Sequence, residues 1–492
     1  MRPPLAIGRA LFDRLEAAGI RHCHWKSNEH LAAALAGETD VDLLVDAARA
    51  AEVDAVLAEL RFRRFRSPNW VRFPGIFDWL GFDTETGRLL HVHLHHQLLT
   101  GRRFVKEHHL PFERAVLDSS ALDPVHGVRV PHPAVELLLL LFRLALKNEG
   151  ISDAAHRELA YLEPRVDKRD LEAWAHELLA PADAAALSGL LVRGSIDDLA
   201  TLARIRPLAL RTLADHSRMP KIEAAARAPL NRLRFLLARV ARRLDLPGQL
   251  GKRLETQGAL VAVIGSDGAG KSTVAAELAH WLAWKADART VYLGVGEGRV
   301  GLRVRVLRRL ARTAQSRTGA PRRVVRTGAR PSGSVPTRVR VPGLLRDLGA
   351  GLLHDAMADE RLGKLHGAHR FRDAGGILLT DRFPQTQFPG IYDGPRTTRS
   401  DRDSFLRRRF AQREQRKYAA MAEMAPDIVL KLHVPVELAL SRKPGHSAEG
   451  VRRKVDLTVA LQFPRSRVFD VDASRPLAEV VLDCKRILWE HL

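Results

Sequence analysis

One run of eight residues carries the most specific chemical signal in this chain. Residues 265–272 read Gly-Ser-Asp-Gly-Ala-Gly-Lys-Ser, which fits the pattern G-x-x-x-x-G-K-[ST]. Glycines let backbone N–H groups converge on phosphate oxygens without interference from Cβ atoms, and a following helix adds a favourable dipole. The pattern predicts a phosphate-binding loop, with Lys271 reaching the β- and γ-phosphates and the Ser272 hydroxyl binding Mg²⁺. The expected ATP-binding residues are Gly265, Ser266, Asp267, Gly268, Ala269, Gly270, Lys271, Ser272 and Thr273.

A second carboxylate is expected beside this loop to hold the metal or its waters. The apolar run Ile377–Thr380 ends in Asp381, and Arg382 follows directly. A guanidinium at that place can clamp a phosphate through two hydrogen bonds. The alternative for Asp381 and Arg382 is an ordinary ion pair at a strand end. The alternative for residues 265–272 is a glycine-rich turn that binds nothing. The two motifs together favour function.

The elements around these residues are typical of a parallel sheet wrapped by helices. An apolar strand precedes the loop, and a helix with Val274, Leu278, Trp281 and Leu282 on its apolar positions follows it. Stretches of helical period separate the short β-rich runs, which is the pattern of α/β proteins. The runs are 259–264, 290–293, 376–380, 428–434 and 467–471.

Residues 259–492 resemble the thymidylate-kinase family of P-loop nucleoside monophosphate kinases. The resemblance lies in the loop with Asp267 as its acidic third residue, in Asp381-Arg382-Phe383, in Ala425-Pro426-Asp427 before a strand, and in 434–442 and 468–473. It implies a five-stranded parallel sheet and transfer of the ATP γ-phosphate to an acceptor. It also implies that Arg382 holds the acceptor phosphate beside Phe383, that Asp267 touches the acceptor's sugar, and that Arg442, Arg452 and Arg453 belong to a closing lid.

The chain also departs from this family. Residues 384–390 lack the pattern that shapes the thymine pocket, Ile264 replaces a usual glutamate, and His433 replaces an acidic residue. The phosphoryl-transfer residues are present, whereas dTMP is not the expected acceptor. The chain looks more like the divergent relatives found in bacterial polysaccharide and accessory gene clusters.

A weaker signal lies near the N-terminus. Asp40 and Asp42 are two residues apart at the start of a predicted strand, so both side chains point to one face. This resembles the Asp-x-Asp strand of the nucleotidyltransferase superfamily and makes both residues candidate metal ligands. Histidines 91, 93 and 95 stand where a third aspartate is expected, with Asp83 as a substitute. We predict that this domain retains the nucleotidyltransferase fold with weak or lost transfer activity. The alternative is an aspartate pair on the surface without a function. The histidines are either transition-metal ligands or a solvated face of the strand.

The length and charge define the organisation of the chain. At about 150 residues per domain the 492 residues suggest roughly three domains. The fold class is α/β multidomain: a nucleotidyltransferase-like α+β domain (1–130), a central helical domain (131–247), a linker (248–258) and the P-loop domain (259–492).

The formal net charge is +22, and residues 299–346 hold fourteen arginines and no Asp or Glu. In this basic insertion Leu302, Val306 and Leu310 form an apolar stripe, and Gly319 to Pro336 suggest a flexible tether.

These features define the expected partners and location. Basic amphipathic helices bind anionic membranes or polyanions, and without aromatic residues the insertion lacks a platform for single-stranded nucleic acid. We do not expect specific nucleic-acid binding. The sequence is compatible with a homodimer as well as with a monomer. Two cysteines and no long apolar run favour the cytoplasm, with peripheral membrane contact as an option. The primary hypothesis is an ATP- and Mg²⁺-dependent phosphotransferase acting on a nucleotide or small anionic acceptor. The alternatives are a nucleotide-gated regulatory or scaffold protein and an active N-terminal nucleotidyltransferase.

Overall fold

The protein divides into two compact units. The computed structural model describes residues 2–147, 151–193, 199–244, 248–294, 301–317, 343–397, 405–445 and 447–492. Unit 1 comprises residues up to Thr256 together with Lys285–Asp287, and unit 2 comprises Gln257–Trp284 and Ala288–Leu492. The border at Thr256 lies inside the predicted linker. The predicted helical domain (131–247) lies in the same unit as the first 130 residues.

Unit 1 contains a six-stranded mixed sheet in the order β1-β2-β5-β4-β3-β10. Its long hairpin is formed by β4 and β5, which turn at residues 84–87, and β2 pairs with β5 in parallel. The strand predicted to start at Asp40 and Asp42 is confirmed as β2, Val41–Val45. The strands are β1 His22–His24, β2 Val41–Val45, β3 Arg63–Arg66, β4 Ile76–Asp83, β5 Arg88–His95, β6 Leu98–Thr100, β7 His108–Leu110, β8 Ala121–Leu122, β9 Arg129–Val130 and β10 Arg253–Leu254.

The helices of unit 1 pack on this sheet and on each other. The helix α5 is buried along most of its length because it is rich in leucine on every side. One core cluster contains Cys23 and Leu44 of the sheet together with α5 and α9, which explains why both parts form one unit. The helices are α1 Ala6–Ala17, α2 Leu31–Leu35, α3 Ala50–Glu59, α4 Glu113–Asp118, α5 Pro133–Lys147, α6 Asp153–Leu162, α7 Lys168–Leu178, α8 Pro181–Arg193, α9 Leu199–Thr212 and α10 Lys221–Arg243.

Unit 2 contains the five-stranded parallel sheet that the sequence predicts. Its order is β12-β13-β11-β14-β15, and each neighbouring pair is parallel. The central strand β11 is buried at every residue, which its continuous apolar run predicts for a strand covered on both faces. The edge strand β12 lies earlier than the predicted run 290–293. The strands are β11 Ala259–Gly265, β12 Ala288–Thr290, β13 Ile377–Thr380, β14 Ile428–His433 and β15 Arg467–Asp472.

The helices of unit 2 include the start of the basic insertion. The helix α12 is confirmed, but it packs through Val304 and Leu307 against α13, whereas the predicted stripe of Leu302, Val306 and Leu310 is exposed. The predicted tether (319–336) lies outside the described residues. The helices are α11 Lys271–Ala283, α12 Leu302–Arg317, α13 Gly343–Asp373, α14 Phe405–Glu423, α15 Val436–Arg442, α16 Ala448–Ala460 and α17 Leu477–His491.

Across the described ranges, no helix combines the length and the hydrophobicity needed to cross a bilayer. Contact of α12 with an anionic membrane surface or another polyanion stays a prediction.

Candidate functional site

The predicted phosphate-binding loop connects β11 to α11 in unit 2. Residues 266–270 form the turn between the strand and the helix, and Lys271 and Ser272 open α11. Gly268 and Gly270 both have φ +85°, a left-handed conformation that glycine adopts without steric cost. A Cβ at Gly268 would lie 2.4 Å from the carbonyl oxygen of Ala439. The glycine pattern therefore has a structural reason beyond its match to a motif.

The side chain of Lys271 folds back over the loop. Its Nζ donates a hydrogen bond to the carbonyl oxygen of Ser266 at 2.7 Å. Burial lowers the pKa of Lys271 to about 8, and Arg382 acts in the same direction, while Asp267 and Asp381 oppose it. The ammonium group is thus held inside the loop, where an anion would compete for it.

The two predicted metal ligands lie together. The Ser272 hydroxyl donates a hydrogen bond to Oδ2 of Asp381 at 2.5 Å. Asp381 directly follows β13, and Ser272 is in the first turn of α11, so adjacent strands of the sheet bring the two groups to one edge. A carboxylate and a hydroxyl are oxygen donors of the kind that Mg²⁺ binds.

An open cavity lies beside the loop. Lys271, Asp381, Arg382 and Phe383 all line it, and their roles in a reaction stay a prediction. Arg382 lies 3.5 Å from the carboxylate of Asp393. The remaining lining residues are Ile264, Gly265, Asp267, Gln385, Tyr392, Asp393, Lys454, Leu461 and Phe463.

The cavity has one apolar wall and one charged wall. Phe383 and Phe463 meet edge to face with ring centroids 6.3 Å apart. On the charged wall, Asp267 forms an ion pair with Lys454 of α16. Tyr392 donates a hydrogen bond to the backbone carbonyl of Lys454 and thereby ties this part of α16 to the cavity. A ligand here would meet an aromatic surface and fixed charges of both signs.

Sequence reasoning missed Lys454. The resemblance pointed to its neighbours Arg452 and Arg453, which the structure places on the exposed face of α16. The three residues are consecutive, so only the rotation of the helix about its axis decides which one faces the cavity. Arg442 donates a hydrogen bond to the carbonyl oxygen of Ala473 at 3.0 Å. The role of these arginines in a lid stays a prediction.

A second open cavity lies near the same loop. Ser266 lines this second cavity, whereas Gly265 and Asp267 line the first. Its other walls come from the ends of β14 and β15 and from α16, including Val434, Asp472 and Ser474. The loop therefore borders two separate concave sites.

In unit 1, Asp40 and Asp42 lie side by side at β2 but contact different groups. Asp40 forms an ion pair with Lys285 and a 2.7 Å hydrogen bond with Nδ1 of His91. Asp42 lies 2.9 Å from Nζ of Lys26 and also contacts His93 and His95. Burial acts to raise the pKa of Asp42, but Lys26 and the two histidines outweigh it, and the pKa lies well below its usual range.

The predicted substitute for a third carboxylate lies elsewhere. Asp83 accepts hydrogen bonds from the backbone N–H and the hydroxyl of Thr86 at 2.9 and 2.8 Å, so it stabilises the turn of the hairpin. The carboxylate that approaches the histidines is Asp78 of β4, whose Oδ1 lies 3.0 Å from Nε2 of His91. His91 and His95 are each 1% exposed, which excludes a solvated strand face at these two positions.

Comparison with known proteins gives partial matches. No protein-family model matches the chain. It is similar to the uncharacterised ATP-binding protein YghR of Escherichia coli (strain K12), with 28% identity over 225 residues, which are 45% of this chain and 83% of YghR. It is also similar to the uncharacterised ATP-binding protein YghS of the same strain, with 29% identity over 230 residues, covering 45% of this chain and 89% of YghS.

Proposed function

We propose that unit 2 binds ATP with Mg²⁺ and transfers the γ-phosphate to a nucleoside monophosphate or another small anionic acceptor. The observation that carries this proposal is that Lys271, Asp381 and Arg382 line one open cavity, with Ser272 bonded to Asp381. Phosphoryl transfer needs positioning and positive charge more than covalent chemistry from the protein. The names of YghR and YghS as ATP-binding proteins support the nucleotide part of the proposal.

The residues present fit both ATP and Mg²⁺. The glycines leave the backbone of the loop accessible to a phosphate group. A Cβ at Gly265 would lie 2.7 Å from the carbonyl oxygen of Leu432, so this position also excludes side chains. Ser272 and Asp381 would hold Mg²⁺ through oxygen atoms, and the ion would neutralise charge on the phosphates.

The two cavities suit two substrates. We assign the cavity with Asp472 and Ser474 to the nucleotide and the cavity with Arg382 and Phe383 to the acceptor, with the loop adjoining both. Arg382 would bind the acceptor phosphate through its planar pair of N–H donors. The aromatic pair Phe383 and Phe463 suits the flat face of a base or a sugar ring.

The test is a screen for ADP release. The purified full chain is incubated with ATP, Mg²⁺ and panels of nucleoside monophosphates, sugars and sugar phosphates. We expect at least one acceptor to raise ADP release well above the level without acceptor, and Lys271→Ala to remove this increase. ATP binding without acceptor-dependent ADP release over all the panels would favour the regulatory or scaffold alternative.

For unit 1, the contacts of Asp40 and Asp42 favour a retained nucleotidyltransferase-like fold with weak or lost activity. Histidines 91, 93 and 95 contact these carboxylates where a third aspartate is expected, and two-metal catalysis is compromised without a third acidic group. Pyrophosphate release that disappears in Asp40→Ala and Asp42→Ala would instead support an active transferase.

The pKa of Lys271 predicts a pH dependence of ATP binding. The protonated ammonium is the form that binds phosphate, and its pKa in the free protein is about 8. The affinity is therefore expected to be constant below pH 7 and to fall above pH 8 by up to about tenfold per unit, because binding must then take up a proton. Calorimetric titration between pH 6.5 and 9.5 measures this. Lys271→Arg, which stays protonated throughout, is the control, and an equal slope in both proteins would contradict the prediction.

A further inference from the structure

Three potential ligand atoms converge on one face of the sheet in unit 1. The parallel pairing of β2 and β5 places Asp42 opposite His93, with His95 two residues further on the same face. Oδ1 of Asp42 lies 3.1 Å from Nδ1 of His93 and 3.3 Å from Nε2 of His95. The two ring nitrogens are 3.2 Å apart. The three atoms thus form a nearly equilateral triangle.

Hydrogen bonds alone do not satisfy this triangle. If both ring nitrogens carry hydrogens and donate to Asp42, two N–H groups face each other at 3.2 Å. If one of the nitrogens is unprotonated, its lone pair faces either the carboxylate oxygen or the other lone pair. As long as Asp42 is ionised, at least one of the three contacts is therefore unfavourable, whereas a cation at the centre of the triangle makes all three atoms ligands.

The dimensions match a tetrahedral metal site. Zn²⁺ binds histidine nitrogen at about 2.0–2.1 Å and carboxylate oxygen at about 2.0–2.2 Å, which places neighbouring ligand atoms about 3.3–3.4 Å apart. The observed separations are 3.1, 3.2 and 3.3 Å. The triangle therefore has the size of one face of the tetrahedron, which leaves the fourth position for water or another ligand.

We propose that Asp42, His93 and His95 bind a divalent transition metal ion of the Zn²⁺ type. Two imidazole nitrogens and one carboxylate favour such ions over Mg²⁺, which prefers oxygen ligands alone. The site differs from the Asp40–Asp42 pair expected from the sequence. It is the only group of three such side chains with converging ligand atoms in the described ranges. The proposal is independent of the function of unit 2.

The neighbouring histidine on the same strand has a different role. His91 directs Nδ1 at Asp40 and Nε2 at Asp78, at 2.7 and 3.0 Å. Both of its nitrogens already have carboxylate partners, so His91 connects β5 to β4 and to the residue just before β2 without offering a lone pair to a metal. For Asp42, by contrast, metal binding would replace only the ion pair with Lys26.

Calorimetric titration of the chelator-treated full chain with Zn²⁺, in the absence of nucleotide, tests the proposal. We expect one site of micromolar or tighter affinity in unit 1 and a raised melting temperature. His93→Ala/His95→Ala should weaken binding at least 100-fold. The matched control is His126→Ala, which removes a histidine that is 2.7 Å from a single aspartate, Asp123, and should leave binding unchanged.

Further variants keep the test decisive. If the double variant does not fold by circular dichroism, His93→Gln serves in its place, because the His93 side chain is 23% exposed. Lys26→Met should tighten Zn²⁺ binding by about tenfold or more, because it removes a positive charge beside the ion. Zn²⁺ affinity that is equal in wild type and in a folded His93 variant, or Mg²⁺ binding of the same strength at this site, would overturn the proposal.

Discussion

Arg382→Ala is expected to lower acceptor-dependent ADP release by about 10²–10³-fold, the usual loss when one charge-stabilising donor is removed from a reaction site. ATP affinity should stay close to that of the wild type, because we assign Arg382 to the acceptor phosphate and Lys271 to the β- and γ-phosphates of ATP, although both side chains line the first cavity. The measurement combines steady-state ADP release with calorimetric ATP titration of the same preparations.

Lys271→Ala is the complementary variant. It should remove turnover and also weaken ATP binding by about 10–100-fold, since hydrogen bonds to charged groups contribute about 1.5–3 kcal/mol. Arg465→Ala is the surface control, because that side chain is 59% exposed and pairs only with Glu423 among the described contacts. An Arg382→Ala protein with unchanged turnover would refute the assignment of the acceptor cavity, whatever the result for Lys271→Ala.

Gly268→Ala is expected to have the largest effect on the loop itself. Its left-handed φ costs a non-glycine residue about 1–2 kcal/mol. The new Cβ would also lie 2.4 Å from the carbonyl oxygen of Ala439, a backbone atom that cannot move aside alone. Overpacking costs about 1–3 kcal/mol, so a total loss of about 2–5 kcal/mol in the free energy of unfolding is expected, with loss of ATP binding.

Gly270→Ala is the matched control for this effect. It has the same φ of +85°, but a Cβ there meets no atom within 4 Å, so only the conformational cost of about 1–2 kcal/mol remains. Urea unfolding of unit 2, followed by tryptophan fluorescence, measures both variants. Equal losses of stability would show that the contact with Ala439 is unimportant.

Several elements followed from local patterns in the chain. The loop at 265–272 and the buried strand before it depend on glycine positions and a continuous apolar run, both of which are local properties. The hairpin of β4 and β5 likewise follows from two apolar runs around a short turn. In each case residues close in the sequence make the interactions that decide the structure, and so the pattern is sufficient.

Other features depend on which surface a neighbouring element offers. The helix α12 has two apolar stripes, and only contact with α13 selects Val304 and Leu307 over Leu302, Val306 and Leu310. The helices after residue 131 read as a separate domain because their period is regular. They belong to unit 1 because their leucines share a core with Cys23 and Leu44, which lie far away in the sequence.

The amino-acid pattern was therefore enough to locate a glycine-rich loop between a strand and a helix, a nearby Asp-Arg pair and two aspartates at a strand, since each is recognised from residue types at fixed spacing. Only the folded chain decided that Lys454 faces the cavity while Arg452 and Arg453 do not, and that Asp42 converges with His93 and His95. These outcomes depend on helix rotation and on strand register. Both are set by packing between distant segments, which no local pattern encodes.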